Sequence, residues 1–399
     1  MMPGAILTLN CGSSSIKFAL FERGERRLLR GRIENLGSET RLDARKADGV
    51  PVAEWRPEAG GYEGFFQKIL SLASDHLDGR PLIAVGHRVV HGGDYFTAPC
   101  LLTEEVRKAL RILEPLAPLH QPHNLAAVDA VARLRPGLPQ VACFDTAFHQ
   151  TMPVTARRFG LPLALEHTGL RRYGFHGLSY EFVAGRLKAV SPEIASGRVL
   201  VAHLGSGASM CAMKDGRSVD TSMGFSTLDG LVMGTRCGAL DPGVLIYLMR
   251  QGMDASALED MLYSRAGLLG VSGISADMRV LLTSKSAEAS NAVDLFVFRA
   301  AREAAALISS MGGVDAIVFT AGIGENSPDI RRRICERLAW LGLALDPAAN
   351  LENRLAIHAT SSRVRVWVLP TDEEQMIAHH TFSTALEADQ PPLAQHRLA

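Results

Sequence analysis

The chain has 399 residues with 42 basic and 42 acidic side chains, so its formal net charge at neutral pH is zero. At roughly 150 residues per domain, this length predicts a soluble protein of two or three domains with large apolar cores. The balanced charge argues against a nucleic-acid-binding protein and against an acidic disordered chain, because both need an excess of one sign.

Three further features predict a cytoplasmic protein that does not bind a membrane. The long charge-free run at residues 199–213 contains two glycines and is shorter than the roughly 20 residues of a membrane-spanning helix. The amino terminus has no basic stretch before its apolar run, which argues against a secretory signal. The six cysteines form no CxxC pair, so we expect reduced thiols rather than a zinc cluster or a disulfide framework.

Short apolar segments that end at Gly, Asn, Asp or His predict buried strands, and the patterned segments between them predict helices. In chain order, the strands are predicted at residues 5–10, 16–22, 82–91, 140–145, 199–204, 315–320 and 364–370. The helices are predicted at residues 104–116, 123–134, 179–190, 254–264 and 291–311. Strands that alternate with helices indicate an α/β protein.

One pattern occurs twice along the chain. An apolar strand, a Gly/Ser turn and a second apolar strand begin at Leu7 and again at Leu200. The offset of 193 residues is nearly half the length, which agrees with two similar lobes produced by duplication, although so short a match also arises by chance.

Three Gly-rich turns could bring backbone N–H groups close to phosphate, namely residues 11–17, 203–207 and 322–326. None is a Walker A loop, and none completes GxGxxG before a helix. Taken singly, each turn is better explained as an ordinary hairpin or strand–helix loop than as a phosphate-binding turn. Three of them in one chain, one followed by Lys17, favour phosphate binding.

Two arginines, several acidic residues and one histidine are further candidates for a binding or catalytic site. Arg88 and Arg236 lie in Gly-rich segments and could bind carboxylate or phosphoryl oxygens through two hydrogen bonds, although a structural ion pair explains a single arginine better. Asp145 and the acidic run 372–374 follow predicted strands, where Mg²⁺ could find oxygen ligands and where acidic residues also cap helices. His176, in RRYGFHG, is a candidate catalyst, although a single histidine more often donates a hydrogen bond in a core.

With these motifs in order along its whole length, the chain resembles the acetate kinase family. The resemblance rests on NCGSSSIKF (10–18), HRVVHGG (87–93), FDTAFHQTMP (144–153), RRYGFHG (171–177), VAHLGSGAS (201–209), SMGF with MGTRCG (222–238), SGISADMR (272–279), FTAGIGENS (319–327) and PTDEE (370–374). It implies the sugar-kinase/Hsp70/actin fold, with two duplicated α/β lobes of the ribonuclease H-like type and an active-site cleft between them. The lobes implied are residues 1–149 with 375–399, and a nucleotide-binding lobe at 150–374.

The resemblance also implies a homodimer that catalyses ATP + acetate ⇌ ADP + acetyl phosphate with Mg²⁺, or Mn²⁺ in its place. Asn10 and Glu373 would hold the metal ion, and His176 and Arg236 would stabilise the transition state. The acyl substrate would contact Arg88, Val90, Leu119, Phe175 and Thr227. ATP would contact Lys17, His203, Leu204, Gly205, Ser206, Gly207, Asp277, Met278, Arg279, Gly322, Ile323, Gly324, Glu325 and Asn326.

Asp145 takes the family's catalytic carboxylate position. Because a carboxylate acceptor is already ionised at neutral pH, the reaction needs no strong general base. We therefore expect Asp145 to orient the metal ion or an arginine.

Three positions depart from the family's usual pattern. Ser206 replaces an amide side chain in the second phosphate turn, Thr227 replaces a proline of the acyl pocket, and Ala239 replaces a carboxylate. We expect these changes to affect phosphate binding, acyl choice and the placement of Arg236, respectively. Acetate and propionate should both be substrates.

Three alternatives remain open at this stage. The first is a propionate kinase of the same family. A kinase of the same fold that acts on a hydroxyl group would need a general base, and Asp145 could serve, but two arginines suit a carboxylate acceptor better. An actin-like nucleotide-binding module would share the fold but would not need Arg88, Asp145 and His176 together.

Overall fold

The structure, a computed structural model, describes residues 4–12, 15–23, 25–36, 40–55 and 62–388. Ser13 and Ser14 of the first Gly/Ser turn, and residues 389–399 of the predicted N-terminal lobe, lie outside the described residues. The described residues form two units, one containing the chain up to Ala147 and from Asp372 onward, the other Phe148–Thr371.

The first unit contains an eight-stranded sheet in the order β5-β4-β3-β2-β1-β6-β8-β7. Its strands are β1 (Ala5–Cys11), β2 (Ser15–Glu22), β3 (Arg26–Glu34), β4 (Arg41–Lys46), β5 (Pro51–Trp55), β6 (Leu82–Val89), β7 (Cys100–Leu101) and β8 (Gln140–Phe144). Strands β1, β6 and β8 are parallel to one another, and the other neighbours are antiparallel.

The second unit contains a five-stranded sheet in the order β11-β10-β9-β12-β13. Its strands are β9 (Arg198–Leu204), β10 (Ala208–Lys214), β11 (Arg217–Thr221), β12 (Ala316–Thr320) and β13 (Arg365–Val368). Strands β9, β12 and β13 are parallel, whereas β10 is antiparallel to both β9 and β11.

Both sheets contain the repeat that the sequence predicts. In each, an antiparallel hairpin (β1–β2 or β9–β10) contributes its first strand to a run of three parallel strands. The predicted α/β class is therefore confirmed.

The helices surround these sheets and extend from them. They are α1 (Tyr62–Asp75), α2 (Glu104–Ile112), α3 (Gln121–Leu134), α4 (Val154–Arg157), α5 (Leu163–Glu166), α6 (Gly177–Val190), α7 (Pro192–Ala195), α8 (Pro242–Arg250), α9 (Ala255–Asp260), α10 (Gly267–Ser272), α11 (Met278–Thr283), α12 (Ala287–Met311), α13 (Ala321–Asn326), α14 (Pro328–Arg337), α15 (Pro347–Leu351) and α16 (Glu373–Ala388). Short 3-10 helices cover Glu114–Leu116, Ala147–Thr151 and Ala339–Leu341, and a π-helical turn covers Met261–Arg265.

Helix α12 shows how the sequence sets an element's limits. The hydroxyl of Ser286 accepts a hydrogen bond from the N–H of Ala289 and caps the first turn. Gly312, with φ at 72°, ends the helix in the left-handed conformation that glycine adopts without strain. Between them, residues such as Ala292, Phe296 and Ala300 recur at helical spacing and are buried.

Several predicted elements differ in form. The helix predicted at 104–116 is α2 followed by the 3-10 helix Glu114–Leu116. The predicted helix 254–264 is α9 followed by a π-helical turn, and the third Gly-rich turn is the short helix α13. No helix among the described residues is long and apolar enough to cross a membrane. The cytoplasmic location stays a prediction.

Candidate active site

In the first sheet, three predicted site residues lie at the carboxyl ends of parallel strands. Asn10 is near the end of β1, Arg88 is near the end of β6, and Asp145 directly follows β8. Because these strands are parallel neighbours, the three side chains share one edge of the sheet. Helix α16, which begins at Glu373, packs against the same three strands.

Hydrogen bonds join these residues into one cluster, which we call the arginine–carboxylate cluster. The amide nitrogen of Asn10 donates to Glu373 Oε2 at 2.9 Å and to Glu374 Oε1 at 3.3 Å. Arg88 Nη1 donates to Asn10 Oδ1 at 3.3 Å, and Arg88 Nε donates to Asp145 Oδ2 at 2.9 Å. Arg88 Nη2 donates to that same oxygen of Asp145.

Burial and charge oppose each other in this cluster. Asp145 is fully buried, and its burial raises the pKa of its carboxyl group to about 6, although the adjacent Arg88 lowers it. Burial alone would lower the pKa of Arg88, but the charges of Asp145, Glu373 and Glu374 outweigh that effect and raise it. The arginine therefore remains a cation and neutralises the carboxylates around it.

The same residues fit a hard divalent cation. Asp145 Oδ1 is buried and has no hydrogen-bond partner among the described residues, and the side-chain oxygens of Asn10 and Glu373 belong to the same cluster. No group of three or more His, Cys, Asp or Glu side chains in the described ranges could hold a metal ion by itself. Mg²⁺ does not need such a group, because it uses one or two carboxylates together with substrate phosphates and water.

The other predicted residues of the first unit are Lys17 on β2, Val90 just after β6 and Leu119 in the turn before α3. Lys17 is exposed on β2, directly opposite Asn10. Val90 is buried, and its N–H donates to Asn124 Oδ1 at 2.9 Å, whereas Leu119 is 36% exposed. Asn124 also donates to the carbonyl of Cys11 at 2.6 Å, so it links the chain after β6 to β1. The sequence analysis did not identify Asn124. This residue is a polar residue in an otherwise ordinary helix, and only the structure shows that it is buried.

In the second unit, His176 lies between the RRYGFHG segment and α6. Its φ of 59° is left-handed, a conformation that costs energy for any residue other than glycine. Its Nδ1 lies 2.8 Å from Ser209 Oγ, and its ring stacks on that of His203 with 4.2 Å between centroids. Because Ser209 and His203 are paired across the β9–β10 hairpin, the hairpin positions both contacts.

The second phosphate turn adjoins both predicted transition-state residues. A Cβ atom added at Gly207 would lie 3.4 Å from His176 Nε2 and 3.5 Å from Arg236 Nη2. Arg236 Nη1 donates to the carbonyl oxygen of Thr227 at 2.9 Å. The departure at Thr227 therefore contacts Arg236 through a backbone atom, which any residue at that position supplies.

The predicted ATP segments of this unit are neighbours. The turn at 203–207 is closed by a hydrogen bond from Gly205 N to Gly207 O at 3.1 Å. A Cβ atom at Gly205 would lie 3.7 Å from Cβ of Ala321, the first residue of α13. Gly234 N donates to Ser206 O at 3.2 Å, and a Cβ atom at Gly234 would lie 3.3 Å from the carbonyl oxygen of Ala276, which precedes the 277–279 segment.

Glu325 and Asp277, two side chains of these segments, accept hydrogen bonds from residues of the second unit itself. Glu325 accepts hydrogen bonds from Ala321 N at 2.7 Å and Thr371 N at 3.1 Å. Asp277 caps α11 by accepting from Arg279 N at 2.8 Å and also pairs with the Arg279 guanidinium. Met278 is buried at 3% exposure, so its side chain packs in the core.

Comparisons with known proteins cover almost the whole chain. The model of the acetokinase family matches residues 5–379. The acetate kinase of Rhodopseudomonas palustris is 50% identical over 394 residues, covering 96% of this chain and 99% of that protein. The acetate kinase of Methylocella silvestris is 47% identical over 396 residues, covering 96% of this chain and 98% of that protein.

Solved structures give the same result. A propionate kinase from Francisella tularensis superposes with a TM-score of 0.89 at 37% identity, covering 95% of this chain and 99% of that one. An acetate kinase from Porphyromonas gingivalis superposes with a TM-score of 0.85 at 38% identity, covering 96% and 99%. Sequence identity over nearly the full length, together with the site residues described above, shows that the chain belongs to the acetokinase family.

Proposed function

We propose that this protein is an acetate kinase that transfers the γ-phosphoryl group of ATP reversibly to acetate, giving acetyl phosphate and ADP. The arginine–carboxylate cluster carries the proposal. It places a cationic arginine, suited to a carboxylate substrate, beside oxygen atoms suited to a divalent metal ion. A sugar or polyol acceptor carries no charge for Arg88 to neutralise.

The roles divide between the two units. In the first, Arg88 binds the acetate carboxylate next to Val90 and Leu119, and Lys17 binds ATP phosphate. Asn10 and Glu373, with Asp145, would hold Mg²⁺, which neutralises phosphate charge when it is bound.

In the second unit, His176 and Arg236 stabilise the transferring phosphoryl group, a role supported by their position next to Gly207. The backbone of residues 203–207 binds ATP phosphate, and residues 277–279 and 322–326 bind the adenosine. Phe175 and Thr227 line the acyl pocket.

The chemistry requires charge stabilisation more than proton transfer. Acetate is ionised at neutral pH, so it can attack phosphorus without a base. Asp145 Oδ2 already accepts two N–H groups from Arg88. We therefore assign Asp145 to holding Arg88 in place and not to accepting a proton.

Trapping the product with hydroxylamine tests the proposal. The purified protein with MgATP and acetate should form acetyl hydroxamate, and prior chelation of the metal with EDTA should abolish the signal. Propionate, as the substrate named for the Francisella relative, and glycerol are run in parallel. Phosphorylation of glycerol without any hydroxamate from acetate or propionate would overturn the proposal.

We also propose that the protein is a homodimer whose contact includes α8. Ile246, Tyr247 and Met249 on this helix are 52%, 61% and 56% exposed, and the helix has no buried residue. Such an apolar helix is stabilised when a second copy covers it. Light scattering should give a dimer mass for the parent and a monomer mass for Tyr247→Glu. Leu351→Glu, at an apolar position 72% exposed elsewhere, should remain a dimer.

A further inference from the structure

Two buried hydroxyl groups form a hydrogen-bonded chain that ends at Nδ1 of His176. Ser209 Oγ lies 2.8 Å from His176 Nδ1 and 2.5 Å from the Tyr180 hydroxyl, and both Ser209 and Tyr180 are fully buried. We propose that Tyr180 and Ser209 are positioning residues that fix the imidazole proton of His176 on Nε2. This inference rests on the proposed phosphoryl transfer, because it states how His176 becomes a hydrogen-bond donor to the phosphoryl group.

The number of protons determines the direction of the hydrogen bonds. Burial raises the pKa of Tyr180 well above its usual value, so its hydroxyl keeps its proton. Among the described residues, Ser209 is the hydrogen-bond partner of that hydroxyl, so Tyr180 donates to Ser209 Oγ. The proton of Ser209 then points to its other partner, His176 Nδ1. A neutral imidazole that accepts at Nδ1 carries its proton on Nε2.

The opposite tautomer leaves a buried proton without an acceptor. If Nδ1 carried the proton, it would donate to Ser209 Oγ, where Tyr180 also donates. The proton of Ser209 itself would then have no partner in this network, and an unpaired buried donor is costly. Turning Ser209 toward Tyr180 only transfers the deficit to the tyrosine proton.

A proton on Nε2 is useful because of what surrounds that atom. Nε2 faces the Gly207 backbone next to Arg236, at the turn that we assign to ATP phosphate. Phosphoryl oxygens only accept hydrogen bonds, so a protonated Nε2 can donate to them, whereas a bare Nε2 would repel them. The stacked ring of His203 covers one face of the imidazole and restrains its rotation.

Nitrogen-15 NMR of the full-length protein with labelled histidine reads the tautomer directly, with no substrate present. We assign the His176 signals by their loss in His176→Asn. We expect Nδ1 at the shift of an unprotonated imidazole nitrogen and Nε2 at that of a protonated one, and a move toward averaged shifts in Ser209→Ala. A protonated Nδ1 in the parent overturns the inference. This reading stands even if the parent makes no acyl phosphate, so the two proposals fail separately.

Kinetics supply the second test. Ser209→Ala and Tyr180→Phe should each lower kcat about tenfold and leave the KM values for acetate and ATP unchanged, since neither residue contacts a substrate. The double variant should be no slower than Ser209→Ala, because both substitutions break one chain of hydrogen bonds. Independent, multiplying losses in the double variant would contradict the chain.

Ser218→Ala is the matched control. Ser218 Oγ lies 2.8 Å from Nδ1 of His149, a buried histidine of the same unit, whose Nε2 donates to the carbonyl of Phe175. This substitution removes the same kind of hydrogen bond from a histidine to which we assign no role in the reaction, so kcat should not change. A normal kcat in Ser209→Ala, or an equal loss in Ser218→Ala, overturns the inference. If Ser209→Ala does not fold, Tyr180→Phe with its intact ring decides the question.

Discussion

Replacing Arg88 by alanine removes the cation at the centre of the arginine–carboxylate cluster. Three hydrogen bonds disappear, two to Asp145 Oδ2 and one to Asn10 Oδ1. Asp145 is fully buried, and its other oxygen already lacks a partner among the described residues. The variant therefore keeps a buried carboxyl group with no charge to balance it.

Two losses follow from this geometry. Removing one partner of a buried ion pair costs about 3–5 kcal/mol of unfolding free energy, which for a unit of this size lowers Tm by roughly 10 °C. Losing the group that binds the carboxylate substrate lowers kcat/KM about 10²–10³-fold, mainly through a higher KM for acetate. Adding Asp145→Ala removes the unpaired carboxyl group, so the double variant should unfold at a higher temperature than Arg88→Ala and remain inactive.

Thermal unfolding of the parent, both single variants and the double variant measures the coupling, and hydroxamate formation measures activity. Arg111→Ala is the control, because Arg111 pairs with Asp129 on the surface and its side chain is 51% exposed. Its Tm should change little, since exposed pairs contribute at most about 1 kcal/mol. If Arg88→Ala is as stable as the parent, or if the two single losses add in the double variant, the reasoning is refuted.

Further predictions concern the second unit, the buried histidines and the acyl pocket. Arg236→Ala and Glu373→Ala should each lower kcat/KM about 10²–10³-fold. The Tm of each variant should change little, because both side chains are partly exposed. Near-normal activity in either folded variant would contradict its assigned role. Burial lowers the pKa of His87 and of His149 to about 4, so between pH 6.5 and pH 4 the unfolded chain binds protons that the folded chain does not. Stability should fall as the pH falls through this window, by about 2 kcal/mol per histidine at pH 5, and a Tm equal at pH 7 and pH 5 would refute this. Acetate and propionate should differ in kcat/KM by no more than roughly 10–200-fold, with butyrate poorer than both. Thr227→Pro should disfavour propionate more than acetate, and an unchanged ratio of the two would count against Thr227 as a pocket residue.

The strands that were predicted from the sequence are largely buried on both faces. The prediction of 140–145 lies within one residue of β8, since every residue of Gln140–Phe144 is buried and the sequence is continuously apolar after Gln140. Strand β3 was not predicted, because five of its nine residues are charged, four of them arginines, and only Leu29 and Ile33 are buried. Its place in the sheet comes from pairing with β2, which no local pattern encodes.

Some residues of the candidate site could also be identified from the sequence, and others could not. Asp145 could be identified because it ends a predicted buried strand, and Arg88 because it lies in a Gly-rich segment. Ser209 and Tyr180 could not, because their hydrogen bond joins β10 to α6 and each residue has an ordinary local context. A buried serine in an apolar strand, as in ASMCAMK, gives no signal of which side chain it meets.

The repeated pattern in the sequence predicts the two hairpins, but it does not predict the different side-chain contacts that each hairpin makes. Asn10 and His203 hold equivalent positions at the ends of the two hairpins, opposite Lys17 and Ser209. In the first sheet, that position joins an amide to carboxylates; in the second, it stacks one imidazole on another. In both sheets the strands on either side of the turn pair in the same antiparallel way. Single side chains determine that one hairpin presents oxygen ligands beside a cation and the other an imidazole, so the same hairpin in two sheets carries different chemistry.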